Sequence, residues 1–336
     1  MRLACFLKKY FRTIFLSLTL GIILLHVTLN RIPNEAEVHF LDVGQGDSIL
    51  IVTPSLQTVL IDGGPGEKVL EELGALLPFF VREIDMIVLT HPHSDHLEGL
   101  TEAMKRYGVR HVLLAGDAYG SRTYQEFLKT INEKSLAGEI AVHFASKGSD
   151  FAVPFEENSG LFFDTLYPIE NIAGKEIDNT NNASVVLKMS PIIGQFVDIS
   201  KNIPNGYLKG ENGLFKTKIN AESLPGQTFL FTGDCEIECE EEILHHYKFD
   251  TDSAGQNILQ SDILKVGHHG SRTATSQAFL DVILPGIAVI QSGVDNKFDH
   301  PHDETVQKLK NANVKIRENT DEGRITLPVE FWRRDV

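Results

Sequence analysis

The stretch Ile84–Leu100, IDMIVLTHPHSDHLEGL, limits what this chain can fold into more than any other. Met86, Ile87, Val88, Leu89 and Thr90 form an apolar, partly β-branched run that reads as a buried strand, and it stops abruptly at His91-Pro92-His93-Ser94-Asp95-His96. Pro92 continues neither strand nor helix, so the loop turns sharply and its side chains can converge on one point. Three imidazoles and a carboxylate within six residues are borderline donors suited to zinc or manganese.

Apolar periodicity places the remaining elements around that strand. Strands are expected at 38–43, 48–52 and 57–62, a helix at 68–80, then after the ligand loop a helix at 97–107. A strand at 109–115, a helix at 121–133 and strands at 139–144, 161–166 and 184–189 follow. The segment of about 192–226, rich in Gly, Asn, Lys and Ser, is too long for an ordinary loop and reads as an insertion. Beyond it come a strand at 227–232, a helix at 236–247, a strand at 261–266, a helix at 275–284, a strand at 287–291, a helix at 304–311 and short strands at 314–317 and 324–327. Helices covering a pair of strand-rich layers predict an α/β chain, a four-layer αββα sandwich spanning 37–336. His111 and His143 lie inside apolar strands without companion ligands, so each reads as a core or surface histidine.

The first thirty residues stand apart. Arg2, Lys8, Lys9 and Arg12 precede an apolar run from about Ile14 to Leu29, broken by Ser17, Thr19, His26 and Thr28. Residues 1–30 therefore read as a transmembrane signal anchor and 31–36 as a linker. No Ala-x-Ala-like cleavage site follows, which favours an uncleaved, single-pass anchor in the cell membrane. With the basic side in the cytoplasm, the large domain is expected to be extracytoplasmic. The formal net charge of -15 argues against a nonspecific nucleic-acid binder, because a polyanion needs a basic stripe. It leaves open a phosphodiester gripped locally at a metal site. Cys235 and Cys239, four apart, would share a face of a helix, a reading that favours packing residues over a disulfide.

Polar groups recur at strand ends: Asp62, then His91, His93, Asp95 and His96, then Asp234, then His268-His269. Brought to one edge, they would hold two metal ions with a bridging carboxylate and a hydroxide between the metals. Asp62, followed by Gly63-Gly64-Pro65-Gly66, is placed to orient a metal ligand or a metal water.

His91 to His96, Asp62, Gly233-Asp234 and the terminal histidine resemble the motif series of the metallo-β-lactamase fold. A narrower likeness rests on Phe40-Leu41-Asp42-Val43-Gly44-Gln45-Gly46-Asp47, Asn181-x-x-Ser184-Val185-Val186-Leu187, Thr232-Gly233-Asp234 and Lys265-Val266-Gly267-His268-His269-Gly270-Ser271. It is similar to the extracytoplasmic hydrolase domain of ComEC-type DNA-uptake proteins. The resemblance implies that His91 and His93 bind a first ion, that Asp95, His96 and one of His268 and His269 bind a second, and that Asp234 bridges. The ions would be two Zn2+ or Mn2+. Asn181 stands where many members of the superfamily supply a third histidine to the first metal, and His300 resembles a position at the mouth of the site that binds a phosphate or donates a proton. Asp95, Asp62 and His300 are thus the expected catalytic residues.

ComEC-type proteins carry this domain beside a many-helix membrane channel, for which a single apolar run leaves no room. The expectation is an outward-facing nuclease, joined to the membrane by its N-terminal segment and serving a channel made by another protein. A surface hydrolase of a small or cell-wall phosphoester or lactone, and a non-catalytic binding protein with a degenerate metal site, are the competing readings.

Overall fold

The computed structural model describes residues 2–156, 159–196, 219–223, 226–252 and 255–331. In chain order the first half comprises α1 (Arg2–Leu29), β1 (Glu37–Phe40), β2 (Ile49–Val52), β3 (Thr58–Ile61), α2 (Lys68–Leu76), β4 (Glu83–Leu89), α3 (Ser94–Arg106), β5 (Gly108–Leu114), α4 (Arg122–Leu136) and β6 (Ala141–Phe144). There follow β7 (Phe151–Glu156), β8 (Ser159–Tyr167), β9 (Val186–Phe196), β10 (Ile219–Ser223), β11 (Phe229–Phe231), α5 (Ile237–Tyr247) and β12 (Ile263–Lys265). The chain continues through α6 (Gln277–Ile283), β13 (Ile287–Ile290), α7 (Asp303–Asn311), β14 (Lys315–Glu318), α8 (Asn319–Glu322) and β15 (Ile325–Pro328).

These strands form two sheets. The first is ordered β15-β1-β2-β3-β4-β5-β6, the second β14-β13-β12-β11-β9-β8-β7 with β10 paired to β9. Between them lies a core that includes Phe40, Met86, Val88, Phe163 and Phe231. On β4, Met86 and Val88 face this core while Ile87 and Leu89 pack with the side chains of α2, α3 and α4. A strand buried on both faces has to be apolar at every position, which is why this one reads as a continuous run. The outer face of the second sheet is covered in the same way by α5, α6 and α7 through Ile243, Phe279 and Leu309. The result is the αββα sandwich that the sequence leads one to expect. Each fully buried Leu, Ile, Val or Phe contributes about 1.5–3 kcal/mol to it.

Strand direction positions the functional edge. β3 and β4 run parallel in the first sheet, and β11 and β12 run parallel in the second. The carboxyl ends of all four meet at one edge of the sandwich, where Asp62, His91, Asp234 and His268-His269 follow them in sequence.

Four expectations need correction. Strand β7 has no counterpart in the sequence reading: Pro154 argues against a strand, yet β7 is the outermost strand of its sheet, where a missing N–H is tolerated. Helix α3 starts at Ser94 and not at 97, so Asp95 and His96 sit in its first turn, where the helix dipole favours the carboxylate. Cys235 and Cys239 are joined in a disulfide with a Cα–Cα distance of 5.5 Å. The pairing is reachable because Cys235 precedes α5 and does not share its helical backbone. Finally, α1 is a helix over 28 residues, but among the described residues no helix is long and apolar enough to cross a membrane. The spanning anchor expected at 1–30 is therefore unsupported: Ser17, Thr19 and His26 interrupt a run already short of the roughly 20 residues a span requires. Of the segment read as an insertion, its two ends pair as the β9–β10 hairpin, and 197–218 and 224–225 lie outside the described residues.

Candidate metal centre

The site is built outward from Asp62. This residue takes a left-handed turn after β3, with φ at 55°, and is fully buried. Its carboxylate accepts the Thr90 backbone N–H at 2.8 Å and the Thr90 hydroxyl at 2.6 Å. It also accepts His96 Nδ1–H at 2.8 Å. The contact requires α3 to press against the turn after β3. Gly63 and Gly99 permit this, since a Cβ on either would collide with the other's backbone. Asp62 therefore stands behind His96 and is not among the residues that line the cleft, a placement suited to orienting a ligand.

The same logic fixes the other imidazoles. Thr90 Oγ1 has given its only proton to Asp62, so at 3.1 Å it accepts His91 Nδ1–H. His269 Nδ1 donates to the Gln291 carbonyl at 2.9 Å, and His268 Nδ1 to Glu236 Oε1 at 2.8 Å. An acceptor on Nδ1 leaves Nε2 as the coordinating atom. All four Nε2 atoms then face one oxygen, Asp234 Oδ2: His96 at 3.3 Å, His269 at 3.4 Å, and His91 and His268 at 3.8 Å each. Asp95 Oδ2 lies 3.4 Å from His269 Nε2, and His93 Nδ1 lies 3.0 Å from His91 Nε2.

The donor chemistry fits divalent metal. His91, His96 and Asp234 bring one ligand atom each to within 4.8 Å of one another, as do Asp95, His96 and His269. His96 Nε2 and His269 Nε2 are buried without a hydrogen-bond partner, an arrangement that costs about 1–3 kcal/mol per atom unless something coordinates it. Burial opposes charge on His96 and His269, but Asp234, with Asp62 or Asp47, lifts both well above the usual imidazole range. Burial likewise opposes charge on Asp234, and His269 and His96 overcome it, holding the carboxyl well below its ordinary value. Protons and metal ions thus compete for the same nitrogens around a carboxylate that stays ionised.

Three residues of the site have no role assigned from the sequence. Lys265, fully buried, pairs with Asp47, donates to the Gly233 carbonyl at 3.0 Å and lies 3.9 Å from Asp234 Oδ1. Asp47 Oδ1 lies 3.2 Å from His269 Nδ1. The signal was present: a lysine inside Ile263-Leu264-Lys265-Val266 has to be paired if it is buried. Glu236, which the sequence places only at the start of a helix, gathers Asn179 Nδ2 at 2.7 Å, Asn181 Nδ2 at 3.2 Å and Thr273 Oγ1 at 2.9 Å as well as His268. Asn181, expected as a ligand of the first metal, thus commits its amide nitrogen to Glu236, while its Oδ1 has no hydrogen-bond partner.

A cleft of about 530 Å³ opens over the cluster, lined by His93, Asp95, Asp234, His268, His300 and Tyr119 among others. His300 is one of its lining residues. Burial, with His268 and His269 nearby, pushes its pKa down to about 4, so near neutral pH it offers a neutral N–H and not an imidazolium proton.

Residues 41–173 match the family described as the Metallo-beta-lactamase superfamily. The chain is 25% identical over 317 residues to ComE operon protein 3 of Bacillus subtilis, covering 88% of this chain and 33% of that protein. It is 27% identical over 283 residues to Competence protein ComA of Neisseria gonorrhoeae, covering 84% and 31% respectively. The chain spans about a third of the length of these curated relatives. Among solved structures, a long form RNase Z from yeast aligns with 88% of this chain and 42% of its own, at 11% identity and a TM-score of 0.43. The match to the metallo-beta-lactamase superfamily thus falls on residues 41–173 of an α/β fold of two sheets and covering helices, and the chain resembles competence proteins of the ComEC type.

Proposed function

We propose that this chain is a metal-dependent phosphodiesterase, a nuclease associated with DNA uptake. The observation that carries the reading is the convergence of four imidazole Nε2 atoms on Asp234 Oδ2 within 3.3–3.8 Å, beneath an open cleft. His91, His93 and Asp234 would hold one ion, and Asp95, His96, His269 and Asp234 the other. Zinc or manganese bound there supplies Lewis acidity toward a phosphoryl oxygen and an activated water near neutral pH. The protein's part is preorganisation. Thr90, Asp62 and Gln291 fix the imidazole tautomers, Lys265 backs the bridging carboxylate with positive charge, and His300 presents its N–H to a phosphate at the mouth.

DNA is favoured as substrate because the similar proteins are named for competence and recombination. The Cys235–Cys239 disulfide supports an extracytoplasmic, oxidising location. Helix α1 exposes Phe11, Phe15, Leu16, Leu18 and Ile22, apolar side chains for which a membrane is the natural cover. The net charge of -15 and a cleft sized for a small molecule favour a second reading, hydrolysis of a small phosphoester.

The test measures zinc and manganese content and turnover on one preparation, with single-stranded DNA and a chromogenic phosphodiester side by side. Bound metal with DNA cleavage is expected. Cleavage of the chromogenic ester alone would transfer support to the small-molecule reading, and bound metal without any turnover would leave a binding protein.

A further inference from the structure

The two histidines of Gly267-His268-His269-Gly270 occupy an unusual backbone. Both have left-handed dihedrals, φ 46° at His268 and φ 53° at His269, a conformation that costs a non-glycine residue of order 1–3 kcal/mol and concentrates at functional sites. Its effect is to splay the rings, whose planes are 65° apart with centroids 6.0 Å apart, so that they reach Asp234 Oδ2 by different routes. His269 approaches beside His96 and Asp95, ligands of the second ion. His268 approaches from the side of Asn181: the two side chains donate to the same oxygen, Glu236 Oε1, at 2.8 and 3.2 Å.

We infer that His268 is a ligand of the first metal and supplies the third imidazole that Asn181 cannot, so that the adjacent histidines serve one ion each. The inference rests on the two-metal reading above. Three observations carry it. His268 Nε2 stands as far from Asp234 Oδ2 as His91 Nε2 does, 3.8 Å. Its Nδ1 is held by a carboxylate, the arrangement that orients metal-bound histidines, and a residue that merely brushes substrate does not need it. That carboxylate is itself fixed by Asn179, Asn181 and Thr273, so Asn181 serves the ligand shell from outside, as a clamp on Glu236. The bare Asn181 Oδ1 is the competing donor, and the experiment separates the two.

The full chain is loaded with cobalt, and metal content and the visible absorption spectrum are recorded for the wild type and for H268A, H268Q, N181A, H269A and the double variant N181H/H268A. The wild type is expected to hold about two ions and H268A about one, with the ligand-field bands of a single class of site lost. N181A keeps both ions, and the double variant regains the second because histidine is restored at the neighbouring position. H269A also loses an ion, but from the other site, with different bands missing. His268 is 23% exposed, so its removal leaves the core intact, and H268Q, which keeps a donor for Glu236, guards against local collapse. Two ions retained in both H268A and H268Q, or loss of an ion in N181A alone, overturns the assignment of His268 while the metal-centre reading stands. A wild type that binds no cobalt overturns both.

Discussion

Two groups of buried histidines lie in this fold, and they behave in opposite ways. His111 on β5 and His143 on β6 stack with ring centroids 5.4 Å apart, Nδ1 to Nε2 at 3.2 Å. Burial, with Arg110 beside His111 and His111 beside His143, pushes their pKa values down to about 4 and about 3. His96 and His269 are more deeply buried, yet their carboxylate neighbours drive them upward. Burial alone therefore makes a histidine neutral and inert. What makes a centre is an ionised carboxylate in front of Nε2 and an acceptor behind Nδ1. The strand-end loops bring both to the second group.

Removing Asp234 should have the largest consequence. Asp234→Ala takes away the oxygen on which four imidazoles converge, and turnover should drop by more than the roughly 100-fold typical of losing an outer partner, with both ions released. The corresponding change at the other pair, His111→Leu with His143→Leu, should leave metal content unaltered. If it too empties the centre, the contrast fails. Next comes Lys265→Met, which strands Asp47 in the interior and should cost about 3–5 kcal/mol of stability in denaturant titration. A change within the range of surface substitutions would show that the pair is not buried as described. Asp62→Asn is expected to weaken metal affinity by about 10–100-fold while the melting temperature of the metal-free protein barely moves. The smallest effect concerns pH. In the unfolded chain, His111 and His143 titrate near about 6.5. Below that value the unfolded chain takes up protons that the folded chain refuses. Stability present above about 6.5 is therefore lost as pH falls toward about 4, and the double leucine variant should flatten that slope.

Much of this was legible in the sequence because two rules act locally. A strand buried on both faces must be apolar throughout, which exposed β4, and a ligand loop must follow it, which exposed His91 to His96. His111 and His143 were readable as core or surface histidines, and the structure buries both. What escaped depended on contacts between distant segments. Asp47 stood in a motif without a role of its own because its partner, Lys265, lies on the other sheet. Glu236 looked like a helix-start acid because the three asparagines and the threonine around it come from other loops. Asp62 was read both as a residue that orients a ligand and as a catalytic one, and only its contact with His96 Nδ1, a matter of side-chain direction that spacing does not encode, bears on the choice. The disulfide was missed because Cys235 was read onto the same helix face as Cys239, whereas it lies ahead of the first turn of α5.

The Gln291 amide donates to the carbonyls of Leu41 and Ser48, 250 and 243 positions earlier, and His39 meets Thr326 across 287 positions. Seen from the ribosome, the first half of the chain emerges with its loop of histidines but without the aspartate, the lysine and the second histidine pair that turn the loop into a centre. Assembly of the ligand edge thus waits for the second sheet, and a polypeptide that has produced only the first carries an incomplete ligand set.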